Sequence, residues 1–198
     1  SNAPDKVAVH TNMRDGSRMN YKPLILPKLS WNTQVSSSSV SELIVQPLEP
    51  GFGTTLGNAL RRVMLSSVEG AAVTSVVIKG INNEFSTIKG VVEDSLQVLL
   101  NIKQIVVKNS TGNSGKMRLS ARGAGAVRAA AIVADNHLTV INTDHIIANL
   151  AADGDLEIEF FVEMGRGYVS AQWPDGVALQ EDCKVYLDAM FSPVKRVE

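Results

Sequence analysis

The chain has 198 residues, 44% of them apolar, with 19 lysines and arginines against 20 aspartates and glutamates and a formal charge of −1. That is enough for one good core or two small ones, and the balanced charge lacks the electrostatic footprint of a protein that wraps nucleic acid. The single cysteine, Cys183, cannot form an internal disulfide, and no apolar run nears the roughly 18 residues of a membrane span, so the expected compartment is the cytoplasm.

At the start, Ser1-Asn2-Ala3 resembles the remnant of an expression tag, and residues 1–20 are expected to be tag-derived or a disordered leader. The first strong element follows Pro47-Leu48-Glu49-Pro50-Gly51. Pro/Gly punctuation, Thr54 and Thr55 as capping side chains and Gly70 past the end bracket a helix of roughly three to four turns. Stepping about 100° per residue, Phe52, Leu56, Ala59, Leu60, Val63 and Met64 fall within an arc of about 140°, which is a packing stripe. Thr55, Asn58, Arg61, Arg62 and Leu65 occupy the opposite arc. One stray leucine on a solvated face is the plain reading of Leu65. An arginine pair beside an exposed leucine also has the makeup of a protein–protein contact.

Ala71 to Lys79 is rich in β-branched residues and is expected to be a strand. Val91 to Lys103 is predicted as a helix whose apolar arc of about 200° implies burial on more than one side. Glu93, Asp94, Gln97 and Asn101 form its polar remainder. Lys103 projects at the last turn, where compensation of the helix dipole and a contact role weigh evenly. Ile105–Lys108 and Met117–Ala121 are strands flanking a polar loop, Asn109 to Lys116, of the kind that joins a long hairpin. Leu138–Ile141, His145–Leu150, Leu156–Met164 and Val185–Met190 add four strands. Asp155 to Phe160 alternates with period two, so one face should be buried and the other wet. Ser170 to Lys184 is expected to be a surface loop. The sum is an α+β fold, mainly antiparallel, with two principal helices.

No pattern in the chain carries catalysis. Gly123-Ala124-Gly125-Ala126-Val127-Arg128 imitates a dinucleotide loop, but Arg128 stands where the third glycine belongs and no second βαβ unit follows. Gly112 to Lys116 has the wrong spacing for a phosphate-cradling loop and reads as a hairpin tip. His10, His137, His145 and Cys183 are scattered without metal-ligand spacing; spacing leaves a Cys183/His145 nucleophile pair open, but nothing around Cys183 resembles a nucleophile turn and a structural cysteine in a loop is the favoured reading. The glycines of Gly165-Arg166-Gly167-Tyr168 are better explained by a strand-terminal turn or a close backbone approach than by a phosphate site. No metal and no cofactor are expected.

Pro47-Leu48-Glu49-Pro50-Gly51-Phe52-Gly53-Thr54-Thr55-Leu56-Gly57-Asn58-Ala59-Leu60-Arg61-Arg62-Val63-Met64-Leu65-Ser66-Ser67 resembles the first helix of the N-terminal domain of the bacterial RNA polymerase alpha subunit. Further motifs of that family follow in order: Gly80 to Thr87, Gly90 to Lys103, Gly165 to Val169, and Asp188-Ala189 with Ser192-Pro193-Val194. Together they span roughly residues 21–197. The family loop usually reads His-Glu-Tyr-Ser-Thr where this chain has Asn83-Glu84-Phe85-Ser86-Thr87. The sequence also stops soon after Ser-Pro-Val, where the family continues into the rest of the first subdomain's sheet and a long pairing helix, then a linker and a DNA-binding domain.

The resemblance implies a non-catalytic assembly scaffold that forms a homodimer and recruits the beta and beta-prime subunits, which hold the active site. This fragment itself is not expected to touch DNA. It implies a dimerisation subdomain made of residues 21–69 and an incomplete return at 185–198, around an inserted subdomain at 70–184. It maps beta contacts onto Arg61, Arg62 and Leu65, beta-prime contacts onto Lys103 and Leu187, and the dimer or core stripe onto Phe52, Leu56, Ala59, Leu60 and Val63. With part of the first subdomain missing, that stripe is expected to be uncovered. Two other readings stay open: a small-ligand or nucleotide-binding domain using the Gly123 loop and the Gly165 turn, and a truncated alpha-like regulatory protein.

Overall fold

The structure is a computed structural model that describes residues 25–81, 85–172 and 183–198. The expectations for residues 1–20, for Asn82 to Glu84 and for most of the Ser170–Lys184 loop therefore lie outside the described residues. Contacts divide the chain into two units, residues 1–55 and 56–198.

In the first unit, β1 (Lys28–Trp31) pairs antiparallel with β2 (Leu43–Gln46), Lys28 opposite Gln46 and Trp31 opposite Leu43. Neither strand is legible in the sequence. Helix α1 (Phe52–Ser66) follows and runs across the division. Its threonines do not cap. Thr55 lies inside the first turn, and its hydroxyl donates back to the Gly51 carbonyl at 3.3 Å. Gly70 is not the helix stop either, because it belongs to the next strand.

The second unit continues with β3 (Glu69–Ile78). Helix α2 (Ser95–Ile102) is shorter than its periodicity suggests. Asp94 accepts a hydrogen bond from the Gln97 N–H at 2.7 Å and so caps the helix there. Val91 and Val92 are instead drawn into extended pairing, Val91 bridging Leu150 and the Val92 N–H donating to the Asn149 carbonyl. There follow β4 (Val107–Asn109), β5 (Gly115–Arg122), β6 (Gly125–Arg128), a 3-10 turn at Ala129–Ala131, β7 (Val133–Ala134), β8 (Leu138–Val140), β9 (Ile146–Leu150), β10 (Asp155–Arg166), β11 (Tyr168–Val169), β12 (Val185–Tyr186) and β13 (Ala189–Met190).

A seven-stranded sheet runs β7-β5-β10-β3-β4-β8, with β12 also paired to β3. β6 pairs with β9 and β11 with β13, and every strand pairing among the described residues is antiparallel. The fold is α+β, as the sequence indicated. The hairpin expected around Asn109 to Lys116 does not form: β4 pairs with β3 and β8, while β5 pairs with β10 and β7. The connection is a crossover. Asn109 organises it, its side-chain oxygen accepting from the N–H groups of Thr111 and Gly112 and its amide donating to the Asn113 carbonyl. The dinucleotide look-alike is a strand-to-strand turn, with Gly123 at φ 83° and Gly125 at φ 145° and a strand, not a helix, after it.

On β10 the alternation holds: Leu156, Ile158, Phe160 and Val162 point into the core. They meet Val76, Ile78 and Val73 of β3, Met117 and Leu119 of β5, Val98, Leu99 and Ile102 of α2, and Ile147 and Leu150 of β9 in one continuous cluster. Each such fully buried side chain contributes about 1.5–3 kcal/mol. A bulge interrupts β3, since Phe161 faces Ser75 but Val162 faces Val73, leaving Thr74 as the extra residue. The Thr74 carbonyl accepts the Leu187 N–H at 2.8 Å. The bulge thus seats the returning end of the chain. Val185–Met190, which reads from sequence as one strand, divides there into β12 and β13.

Candidate interaction surfaces

The first surface is α1. Glycine, threonine and asparagine keep its intrinsic helix preference modest, yet its apolar residues recur on one side. No residue of the helix is buried. Phe52 is 54%, Leu60 36% and Val63 55% exposed. Ala59 is also exposed, and Leu56 and Met64 are half-buried. The stripe that sequence periodicity assigns to packing is therefore open. On the other arc Arg61 and Arg62 are exposed and Leu65 is half-buried. Among the described residues neither arginine takes part in an ion pair. The Ser66 hydroxyl donates to the Arg62 carbonyl at 2.6 Å, which ties the last turn together. Two guanidinium groups held on a helix with no internal carboxylate are available for bidentate bonding to an acidic partner.

The second surface lies at the C-terminal end of α2. Lys103 is the residue after the helix, and its ammonium meets Asp188 Oδ2 at 3.1 Å. Asp188 Oδ1 accepts the Ala171 N–H at 2.9 Å. The Ala171 N–H first, then the Lys103 ammonium and last the Tyr168 hydroxyl hold the Asp188 carboxyl below the usual aspartate range, outweighing the opposing effect of desolvation. The pair is about one-third exposed on both sides, so it remains within reach of a partner. Leu187 stands differently. It is 7% exposed and packs in the core, so any part it plays in a contact comes through holding its neighbour Asp188 in place.

The outer side of α2 also corrects the expectation of burial on more than one side. Ser95, Val98, Leu99 and Ile102 are buried, but Leu96 and Leu100 are 47% and 44% exposed. Just before the helix, Glu93 is half-buried. Glu93 accepts from the Asn149 backbone N–H at 2.8 Å and from the Asn149 side-chain amide at 2.6 Å. Burial pushes the Glu93 carboxyl up, and the bonds from Asn149 and its own N–H outweigh that and hold it below the usual glutamate range.

Near the chain's end, Phe191 explains two glycines. Its carbonyl lies where a Cβ on Gly70 would stand, and its ring lies 2.7 Å from where a Cβ on Gly165 would stand. At Gly165 the close approach is that of a side-chain ring, not of backbone, and Gly167, at φ 61°, makes the turn at the end of β10. No group of three or more His, Cys, Asp or Glu side chains among the described residues is placed to hold a metal ion. No described helix is long and apolar enough to cross a membrane. Sequence reasoning misses Asp188 as the partner of Lys103 because 85 residues separate them. The available signal was a charged residue set between the apolar Leu187 and Ala189.

Residues 76–192 match the family described as the RNA polymerase Rpb3/RpoA insert domain. Similar curated proteins carry the name DNA-directed RNA polymerase subunit alpha. The one from Desulfovibrio desulfuricans is 42% identical over 190 residues, covering 93% of this chain and 54% of its own length. That from Syntrophomonas wolfei is 44% identical over 176 residues, covering 86% and 54%. That from Rickettsia peacockii is 42% identical over 181 residues, covering 90% and 52%. The chain spans about half the length of these relatives.

Proposed function

This chain belongs to the bacterial RNA polymerase alpha-subunit family, and on that premise we propose that it is the assembly part of such a subunit, a cytoplasmic scaffold without chemistry of its own. It pairs with a second alpha copy and recruits the two large subunits, beta and beta-prime, on which nucleotidyl transfer takes place. In this reading residues 21–69 and 185–198 belong to a dimerisation subdomain and 70–184 to an inserted one. Arg61, Arg62 and Leu65 engage beta, Lys103 engages beta-prime together with Asp188, which Leu187 holds in place from the core, and Phe52, Leu56, Ala59, Leu60 and Val63 pack against what completes the dimer.

The observation that carries the reading is α1: a 15-residue amphipathic helix with no buried residue and two arginines free of ion pairs among the described residues. Soluble domains rarely leave such a stripe open unless something else covers it. Light scattering of the chain alone and with a matching beta subunit tests the proposal. A dimer or a beta complex is the expected mass; a monomer that ignores beta overturns it. Arg62→Ala should weaken beta capture by about 2 kcal/mol or more, the scale of an interface hot spot, with an unchanged melting temperature. Unaltered capture would remove Arg62 from the contact.

A further inference from the structure

Lys103 is framed by two asparagines. Two residues before it, Asn101 donates its side-chain amide to the Ile147 carbonyl of β9 at 2.9 Å. Gln97 Nε2 donates to the other end of that amide at 3.1 Å and keeps it turned toward the strand. The Asn101 main-chain carbonyl also accepts the Gln104 N–H and lies 2.8 Å from His145 Nε2. Just after Lys103, Asn142 uses both ends of its amide. It donates to the Gln104 carbonyl at 2.9 Å and accepts the Val106 N–H at 2.8 Å.

Eight residues are too few for α2 to hold its shape alone. Burial of Val98, Leu99 and Ile102 keeps it against the core, but apolar burial has no direction and does not fix where the last turn stops along β9. Hydrogen bonds do, since they fail beyond a few tenths of an ångström and a few tens of degrees. The geometry points to Asn101 and Asn142 as positioning residues of the Lys103 surface: together they fix the last turn of α2 and the chain leaving it, and so set where the Lys103 ammonium stands relative to Asp188. That a partner subunit then meets this surface rests on the reading above; that the asparagines place Lys103 does not.

The test has a readout that needs no partner. The Asp188 carboxyl is followed by NMR titration in the 198-residue chain and in Asn101→Ala and Asn142→Ala. Loss of the frame lets Lys103 drift, so Asp188 should titrate higher, nearer the ordinary aspartate range. Because the two asparagines lie on different segments, one variant decides the matter if the other does not fold. An unmoved Asp188 titration in folded Asn101→Ala or Asn142→Ala overturns the inference. In parallel, beta-prime capture should fall about tenfold for Asn142→Ala and for Lys103→Ala, and adding the first change to the second should cost little more. Capture unchanged in Lys103→Ala would sink the contact reading and leave the titration to judge the asparagines.

Discussion

The two helices of this chain are both amphipathic, and they end in opposite states. In α2 four of eight residues are buried, Asn101 is bonded to β9, and so is Glu93 just before the helix. In α1 none of fifteen is buried, and the apolar stripe from Phe52 to Val63 is largely open. Periodicity tells which side of a helix wants cover, and only the rest of the fold tells whether cover is present. A helix with its own tertiary partner contributes to stability; one without it is free to contribute to association.

The contrast makes predictions that can be ranked. The largest effect belongs to the covered region: Phe160→Ala, at a fully buried position, should cost about 3–5 kcal/mol in denaturant unfolding. A loss below about 1 kcal/mol would mean that the core is looser than its packing suggests. Gly165→Ala comes next, because the added methyl meets the Phe191 ring; overpacking of this kind costs about 1–3 kcal/mol. If Gly165→Ala melts like the parent, Phe191 is not seated on β10 in solution. In the monomeric chain Leu60→Ala should then change stability by about 0.5 kcal/mol or less, as for an exposed surface position, although the same change would cost about 2–5 kcal/mol were the stripe covered. A large loss at Leu60 in the monomer would erase the difference between the helices and show that α1 is covered within a single chain.

The smallest effect is electrostatic. Asp188 and Glu93 both have carboxyl groups held below their usual ranges, so the folded chain binds protons less readily than the unfolded one. Their contribution is whole above the unfolded carboxylate range and is lost as pH falls through the lower folded values. Asp188→Asn should flatten the acid limb of a stability curve only slightly, because water screens a carboxylate whose side chain is 37% exposed. An acid limb unchanged in Asp188→Asn would show that the Lys103 and Ala171 bonds do not persist in solution.

The features legible in the sequence are those that depend on near neighbours. The alternation of Asp155 to Phe160 gives β10 its buried face, and β-branched residues place β3. Helical spacing alone sets the arc of Arg61, Arg62 and Leu65 apart from the apolar stripe. What escapes depends on distant partners. Nothing local says that Met117 lies beside Phe160 and not beside Val107, so a crossover reads as a hairpin. Nothing near Val91 says that Leu150 will claim it, so periodicity extends α2 by a turn. Lys103 is visible as a candidate, but its pairing with Asp188 and its framing by Asn142 are not. Of the two short strands, β1 alternates over only the four residues Lys28–Trp31, β2 does not alternate, and no tight-turn signature joins them.

The Thr74 bulge has a consequence for the order in which the chain can fold. Its carbonyl waits for the N–H of Leu187, and Gly70 waits for the backbone of Phe191, more than a hundred residues later. β3 leaves the ribosome well before those residues and cannot have all its neighbours until they have emerged. Closure over so long a separation is slow, and an unpaired strand edge is the usual seat of misassembly. The docking of residues 185–191 onto a strand made long before them is therefore a step open to chaperone capture or to aggregation.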